Sequence, residues 1–250
     1  MKLITNLALL WRLLVIAAIF VAAPLRADDT TIQPGQPVQS SQLHYLTGRK
    51  PDAVALLAPP PLSGSPEQAA DLEEVRTVCH AATSSDLAAA FSEKKFNVFN
   101  FTPAIGDFFV PEKFPKTRAF FKRVQADAAA ITGSAKDFYK RPRPYTVDPS
   151  LANGKLEKDF SYPSGHSTES MVLALVLADL FPDKHDAIIA GARSIGWHRV
   201  QIARHYPTDI YAGRVLAQAI VKQMIKSDAF QKDFAEAKAE IAAAPATANN

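Results

Sequence analysis

Cysteine is almost absent: Cys79 is the single one among 250 residues. One thiol excludes an internal disulfide and any zinc site built on cysteines. It falls within a helical pattern with no activating partner close in sequence, so it reads as a structural thiol and not as a nucleophile. Excess charge is scarce as well. The formal net charge is +3, and Lys2, Arg12 and Arg26 supply that surplus at the N-terminal end, where no acid accompanies them. The remainder is balanced, which removes the electrostatic case for nucleic-acid binding. Alternating runs of strand type are missing, no Asn-Gly turn joins two such runs, and no internal repeat is visible.

What is present begins with a leader. Lys2 and Arg12 flank an apolar stretch, Leu13 to Ala23, followed by small residues and then Asp28-Asp29. That is the form of a secretory signal peptide over residues 1–27, with cleavage after Ala27 and export to the periplasm as the consequence. The apolar stretch is short for a bilayer span of about 20 residues, so no stable membrane insertion is expected after cleavage. Residues 28–64 are rich in Pro, Gln and Ser, include Pro59-Pro60-Pro61, and read as an extended segment with little helix.

Helical signals fill the rest. Ser65 is a good N-cap, Pro66 suits the first helical position, and Gln68 completes a capping box ahead of Leu72, Val75, Val78 and Cys79. Further helices are expected over 86–94, 116–139, 167–180, 186–202, 208–225 and 228–242. Phe120, Phe121, Val124 and Ala128 share one face of the second of these, and Arg141-Pro142-Arg143-Pro144 must end it. The aromatic segment 96–110, broken by Pro103 and Gly106, reads as a packed turn, and 147–162 reads as a polar loop. The 167–180 helix is apolar but short and carries Asp179, which fits a buried helix better than a span. The fold class is therefore all-α, a compact single-domain helical bundle over 65–242, with a fraying tail over 243–250.

Chemistry concentrates next to helix ends. Lys136, Arg143 and Arg199 are cations that could surround a tetrahedral dianion; Arg offers a planar fork of donors and Lys a point charge. Ser164 and Gly165 stand where a helix begins, so free amides and the positive dipole end lie there, and Gly permits close approach. His205 has Asp209 four residues on. A carboxylate on one ring nitrogen fixes the tautomer and leaves the other as nucleophile. With Pro207 between them, Asp209 is expected in the first turn of the next helix, reaching back. His166 follows the anion-binding amides and suits a general acid that then becomes a base.

In this order and spacing, Lys136-x6-Arg143-Pro144, Pro163-Ser164-Gly165-His166 and Arg199-x5-His205-x3-Asp209 resemble the three-part signature of the type 2 phosphatidic acid phosphatase superfamily, whose fold is shared with the haloperoxidases. Within it the chain resembles the class A bacterial non-specific acid phosphatases. The likeness runs from the 57–65 segment to the terminal helix near 230–240. The resemblance implies an exported enzyme that hydrolyses phosphate monoesters through a phosphohistidine, releasing inorganic phosphate. His205 would be the nucleophile, Asp209 its orienting group and His166 the leaving-group acid. Lys136, Arg143, Ser164, Gly165 and Arg199 would hold the phosphoryl oxygens. No metal and no cofactor is implied. Nucleotides enter only as substrates, transfer to an acceptor alcohol stays open beside hydrolysis, and an apolar helix surface leaves room for a homo-oligomer.

The chain departs from the family pattern at His198, where Ser usually precedes the Arg of the third block, and at Ala203, where Gly is frequent. His198 reads as packing or facing solvent, with contact to the pocket as the alternative. His44, His80 and His185 show no partner pattern. Three rival readings use the same residues. A vanadium-dependent haloperoxidase would hold vanadate in such a pocket, although its relatives are longer. A non-catalytic periplasmic phosphate-binding protein would need the donors but no positioned nucleophile. A lipid phosphatase of the membrane kind would carry several spans.

Overall fold

The computed structural model describes residues 43–244, so the leader, residues 28–42 and the tail beyond 244 lie outside the described residues. The helices in chain order are α1 (Ala53–Leu56), α2 (Pro66–Ala81), α3 (Ser84–Ser92), α4 (Thr102–Ile105), α5 (Pro115–Tyr139), α6 (Pro144–Val147), α7 (Gly165–Leu180), α8 (His185–Gln201), α9 (Pro207–Met224) and α10 (Asp228–Ala242). Short 3-10 turns occur at Val98–Phe101, Pro149–Leu151 and Pro182–Lys184, and among the described residues there is no strand. The chain is all-α, as its patterning requires. No helix of the described residues is long and apolar enough to cross a membrane.

At the centre is α7, packed against α5, α8 and α9, while α10 lies on α5. Its stretch from Met171 to Leu177 is apolar on every side, and Val172, Leu173, Ala174 and Leu177 are wholly buried; a helix of that composition is stable only inside a core. Phe120 and Phe121 of α5 join Phe230 of α10 in an aromatic cluster, with the Phe120 and Phe230 ring centroids 5.2 Å apart. Two carboxylates, one of them the buried Asp127, do work that local sequence does not. Phe114 gives α5 no side-chain cap, and Glu240 supplies one from α10 by accepting from the amides of Lys116 (2.9 Å) and Thr117 (2.8 Å). Asp127 of α5 accepts from the amides of His44, Tyr45 and Leu46 at 2.7, 2.8 and 3.1 Å, and so pins the N-terminal segment to the bundle.

Several expectations need refinement. Ser65 does cap α2, accepting from the Gln68 amide at 3.1 Å. The reciprocal bond from Gln68 is absent: its Oε1 accepts from the buried Arg141 guanidinium at 2.7 Å, while the Ser65 amide donates to the Leu62 carbonyl at 3.0 Å. The second helix starts earlier than expected, at Ser84, since Thr83 and Asp86 form a capping box. The 28–64 segment contains one helical turn, α1, capped by Asp52. The polar loop after α5 contains α6 and the 149–151 turn, and the aromatic turn contains α4. Cys79 is partly buried and donates to the Val200 carbonyl at 3.3 Å, with burial pushing its thiol pKa up, in keeping with a structural thiol.

The first turn of α7 is wedged between α8 and α9 at two glycines. A Cβ on Gly213 would lie 2.9 Å from the Ser164 carbonyl oxygen, and one on Gly196 would lie 3.2 Å from Ser167 Oγ. This contact sets how close α9 comes to the start of α7. Replacing Gly213→Ala is expected to destabilise the fold by about 1–3 kcal/mol through overpacking. Gly133→Ala, within α5 and with nothing inside 4 Å of the new methyl, is expected to stabilise by up to about 1 kcal/mol. Chemical denaturation of both variants checks the contrast in sign.

Candidate active site

Three distant stretches meet at one end of the bundle. Lys136 lies in the last turn of α5, whose C-cap Lys140 is left-handed (φ 49°) and turns the chain away. The Arg141–Pro144 segment then crosses the bundle end, and Ser161 returns beside it, donating its amide to the Arg141 carbonyl at 2.8 Å. Ser164 donates its amide to the Asp209 carbonyl at 3.1 Å, tying the start of α7 to the first turn of α9. Arg199 closes α8, and Ala203 makes the turn that delivers His205. Ala203 adopts φ 53°, a left-handed conformation that costs a residue with a Cβ about 1–2 kcal/mol. Its methyl group is fully buried against Leu72, Val75 and Val200, which offsets part of that cost.

His205 is buried, with its two nitrogens in different surroundings. Nδ1 is 3.2 Å from Asp209 Oδ2, and Nε2 is 3.3 Å from Arg143 Nη1. A carboxylate accepts and a guanidinium only donates, so Nδ1 carries the hydrogen and Nε2 presents its lone pair. Asp209 is held from every direction. Its Oδ1 accepts from Arg141 at 2.6 Å, and its Oδ2 accepts from the Ser161 hydroxyl and from the Tyr206 amide at 3.0 Å. Arg141 is in turn bonded to Asp71 and to Thr208, each at 2.7 Å, and its guanidinium lies 3.8 Å over the Tyr206 ring. Burial first, then Arg143, Lys136 and Arg199, depress the His205 pKa well below the usual imidazole value. The ring therefore stays neutral, with its lone pair available, in mildly acidic solution.

Lys136, Arg143, Arg199, Gly165, His166 and His205 line one cavity of about 270 Å³. A larger groove of about 710 Å³, lined by Leu62, Tyr211 and Val215 among others, is apolar and lies away from these groups. Arg143 and Arg199 are buried, as is Lys136. Burial and then the neighbouring guanidinium lower the Lys136 pKa, as expected where like charges are gathered. At the start of α7 the Ser167 amide is taken by Ser164 Oγ, whereas the amides of Gly165 and His166 have no intrahelical acceptor and border the cavity. Cations and helix-end amides together make a site for a tetrahedral anion.

His166 stands on the other side of that anion site. Its Nε2 lies 3.2 Å from the Glu93 carbonyl oxygen, which can only accept, so Nδ1 is the nitrogen that exchanges a proton. Burial, then Arg199, push its pKa down to about 3 in the absence of a bound anion. An anion between Arg199, Arg143 and Lys136 would cancel the charges that depress it and raise its basicity.

All the residues expected from the sequence are therefore brought together, with one difference of role. The Ser164 hydroxyl caps α7 and does not itself line the cavity, although a hydroxyl that accepts retains a proton to donate. His198 does not reach the cavity: its Nδ1 pairs with Glu93 Oε2 at 2.8 Å. Arg141, Asp71 and Ser161 escaped the sequence reading, because nothing in local spacing says that a charge will be buried beside Asp209. The Arg-Pro repeat around Arg141 was the available signal. Among the described residues no group of three His, Cys, Asp or Glu is placed to hold a metal ion.

Two carboxylates also escaped notice, and both occupy the cations of the site. Asp159 bonds Arg143 Nη2 at 2.6 Å and Lys136 Nζ at 2.9 Å, while Glu157 pairs with Arg199 and lies 3.0 Å from Arg204. Burial alone would raise the Asp159 pKa, but Lys136 and Arg143 outweigh it and hold the group at about 2. It therefore stays ionised throughout mildly acidic conditions and competes with any incoming anion. Its side chain is 54 % exposed, so solvent can take the place of the cations around it when an anion binds. Asp159→Asn is expected to tighten binding of inorganic phosphate roughly three- to tenfold, the scale of one partly exposed ion pair. Titration calorimetry with phosphate at pH 5.5 checks this, and unchanged or weaker binding would contradict it.

Comparison with known proteins places the chain in a family. The model of the PAP2 superfamily matches residues 125–231, a range that contains every residue of the anion site. The chain is 31 % identical to a non-specific acid phosphatase of Providencia stuartii over 90 % of this chain and 92 % of that one. It is 28 % identical to an acid phosphatase of Zymomonas mobilis over 84 % of this chain and 81 % of the relative. A solved transmembrane PAP2-type phosphatidylglycerolphosphate phosphatase from Bacillus subtilis is 18 % identical, with a TM-score of 0.48, over 70 % of this chain and 89 % of that one. With signature, site and full-length relatives in agreement, the chain belongs to the PAP2 superfamily and is one of its acid phosphatases.

Proposed function

We propose that the enzyme hydrolyses phosphate monoesters in two steps through a phosphohistidine on His205. His205 Nε2 attacks phosphorus, the bond to the ester oxygen breaks, and His166 Nδ1 gives its proton to the departing alcohol. Water then attacks the phosphorus, His166 takes the proton, and the P–N bond breaks to release inorganic phosphate. Lys136, Arg143, Arg199 and the amides of Gly165 and His166 stabilise charge on the phosphoryl oxygens as the group passes from the ester oxygen to His205 and then to water. Asp209 fixes the reactive tautomer and stabilises the positive charge that forms on the ring.

The observation that carries this reading is the arrangement at His205. One nitrogen is held by a buried carboxylate, and the other is aimed at a cluster of cations. A binding protein needs the cations but not the oriented lone pair. The leader over 1–27 supports export to the periplasm as part of the same proposal.

The pH dependence follows from the two imidazoles. His205 is depressed, so its neutral form is retained as pH falls below the usual histidine value. His166 must carry a proton in the enzyme–substrate complex, and that proton is lost as pH rises. Activity is therefore expected to be highest on the acid side, with an alkaline limb that belongs to His166. His205→Ala is expected to abolish turnover of every ester. His166→Ala is expected to lose about 10²–10⁴-fold with a poor leaving group such as glycerol and much less with p-nitrophenol, which departs without a proton. Steady-state kinetics on both esters from pH 4 to pH 8 test the assignment, and wild-type rates in the His205 variant would refute it.

A further inference from the structure

The cavity has a second half that the phosphoryl chemistry does not use. Its walls are Ala129, Thr132 and Gly133 of α5 and Glu169 of α7. The α5 residues are small and leave space on the side of His166 where an alcohol would depart. Glu169 is the ionisable residue of that half. It lies one helical turn after Gly165 and His166, so all three share a face of α7. Its Oε1 would be 3.5 Å from a Cβ built on Gly165, which places the carboxyl alongside the amides that border the anion site. Its Oε2 accepts from Gln125 Nε2 at 3.0 Å, and that same nitrogen donates to the Phe96 carbonyl at 3.2 Å. Gln125 is thereby fixed as a donor, the carboxyl is fixed in orientation, and Oε1 is left without a protein partner.

We propose that Glu169 selects the leaving group by charge, admitting phosphate esters of neutral alcohols in preference to esters whose alcohol carries a second anion. The proposal rests on the monoesterase reading above. A fixed carboxylate beside the alcohol repels an anion there, and the low dielectric of a narrow cavity strengthens the effect. The charged and titratable neighbours are Lys136 from α5 and His166 from the first turn of α7. The segment after α3 brings the Phe96 ring and carbonyl. Arg143, Arg199 and His205 face the site from across the cavity, with Asp159 and Glu157 on the loop beyond. Those cations are neutralised by the phosphoryl group itself once an ester binds, whereas Glu169 has no cationic partner within hydrogen-bonding distance. Burial raises its pKa to about 7, against the opposing pull of Gln125 and Lys136. In acid it is a neutral group that can donate to either kind of alcohol, and towards pH 8 it becomes an anion. Charge selection should therefore switch on as pH rises.

The test compares glycerol 3-phosphate with 3-phosphoglycerate, esters of similar size that differ by a carboxylate ionised throughout the range. Ionisation of their phosphate groups and of His166 acts on both and largely cancels in the ratio of kcat/KM values. In the full-length enzyme this ratio is expected to rise at least tenfold in favour of glycerol 3-phosphate between pH 5 and pH 8. It should be flat in Glu169→Gln, which keeps the bond from Gln125, and should retain its rise in Glu169→Asp. A flat ratio in the wild type overturns the proposal and needs no variant, so it decides the matter even if a substitution prevents folding. An equal rise in wild type and Glu169→Gln overturns it too, by assigning the effect to another group. If neither ester, nor p-nitrophenyl phosphate, is hydrolysed, the monoesterase reading falls and this proposal with it. Hydrolysis with a pH-independent ratio removes this proposal alone.

Discussion

The active end of the molecule depends on the way Asp209 is held. This carboxylate is wholly buried, and taking it out of water carries a penalty of several kcal/mol unless its oxygens are satisfied. Arg141, Ser161, the Tyr206 amide and His205 satisfy them. Arg141 comes from the segment after α5, Ser161 from the approach to α7, and His205 and Tyr206 from the α8–α9 connection. One carboxylate thus links three chain segments that are remote in sequence. Through Arg141 and Asp71 the same network reaches α2. The orientation of His205 is a product of this whole assembly rather than of a single i, i+4 contact.

Around that fixed point the electrostatics are arranged in opposition. Lys136, Arg143 and Arg199 are buried close together, an arrangement that would be unfavourable without counter-charge. Glu157 and Asp159 provide it from a loop, and a phosphoryl group can take it over. The cations have a further effect. They disfavour a proton on either imidazole, so His205 keeps its lone pair in acid. In the proposed mechanism the same field that attracts the substrate also prepares the nucleophile, and binding of a dianion would relax that field when His166 needs its proton.

Much of this was legible in the residue order. The positions of α2, α5, α7, α8, α9 and α10 follow from apolar spacing, from Ser65 and Pro66, from the Arg-Pro repeat and from Pro207. The expected position of Asp209, in the first turn of α9 and reaching back to His205, agrees with its place in the structure. Gln68 shows where such reading stops. Its position suits a capping box, but a guanidinium from far along the chain claims its side chain. Glu157, Asp159 and Glu169 look like ordinary solvated acids in sequence, since only three-dimensional neighbours distinguish a surface carboxylate from one that blocks or borders a site.

The sequence by itself determined the helical class, the chemical inventory and the family, because periodicity, caps and motif spacing are local properties that survive without knowledge of packing. Only the tertiary structure decided which charges are buried together, which nitrogen of each histidine is free, and that Glu169 borders the cavity beside Gly165. Those outcomes depend on desolvation and on distances between segments remote in the chain, and neither quantity is written in the order of residues.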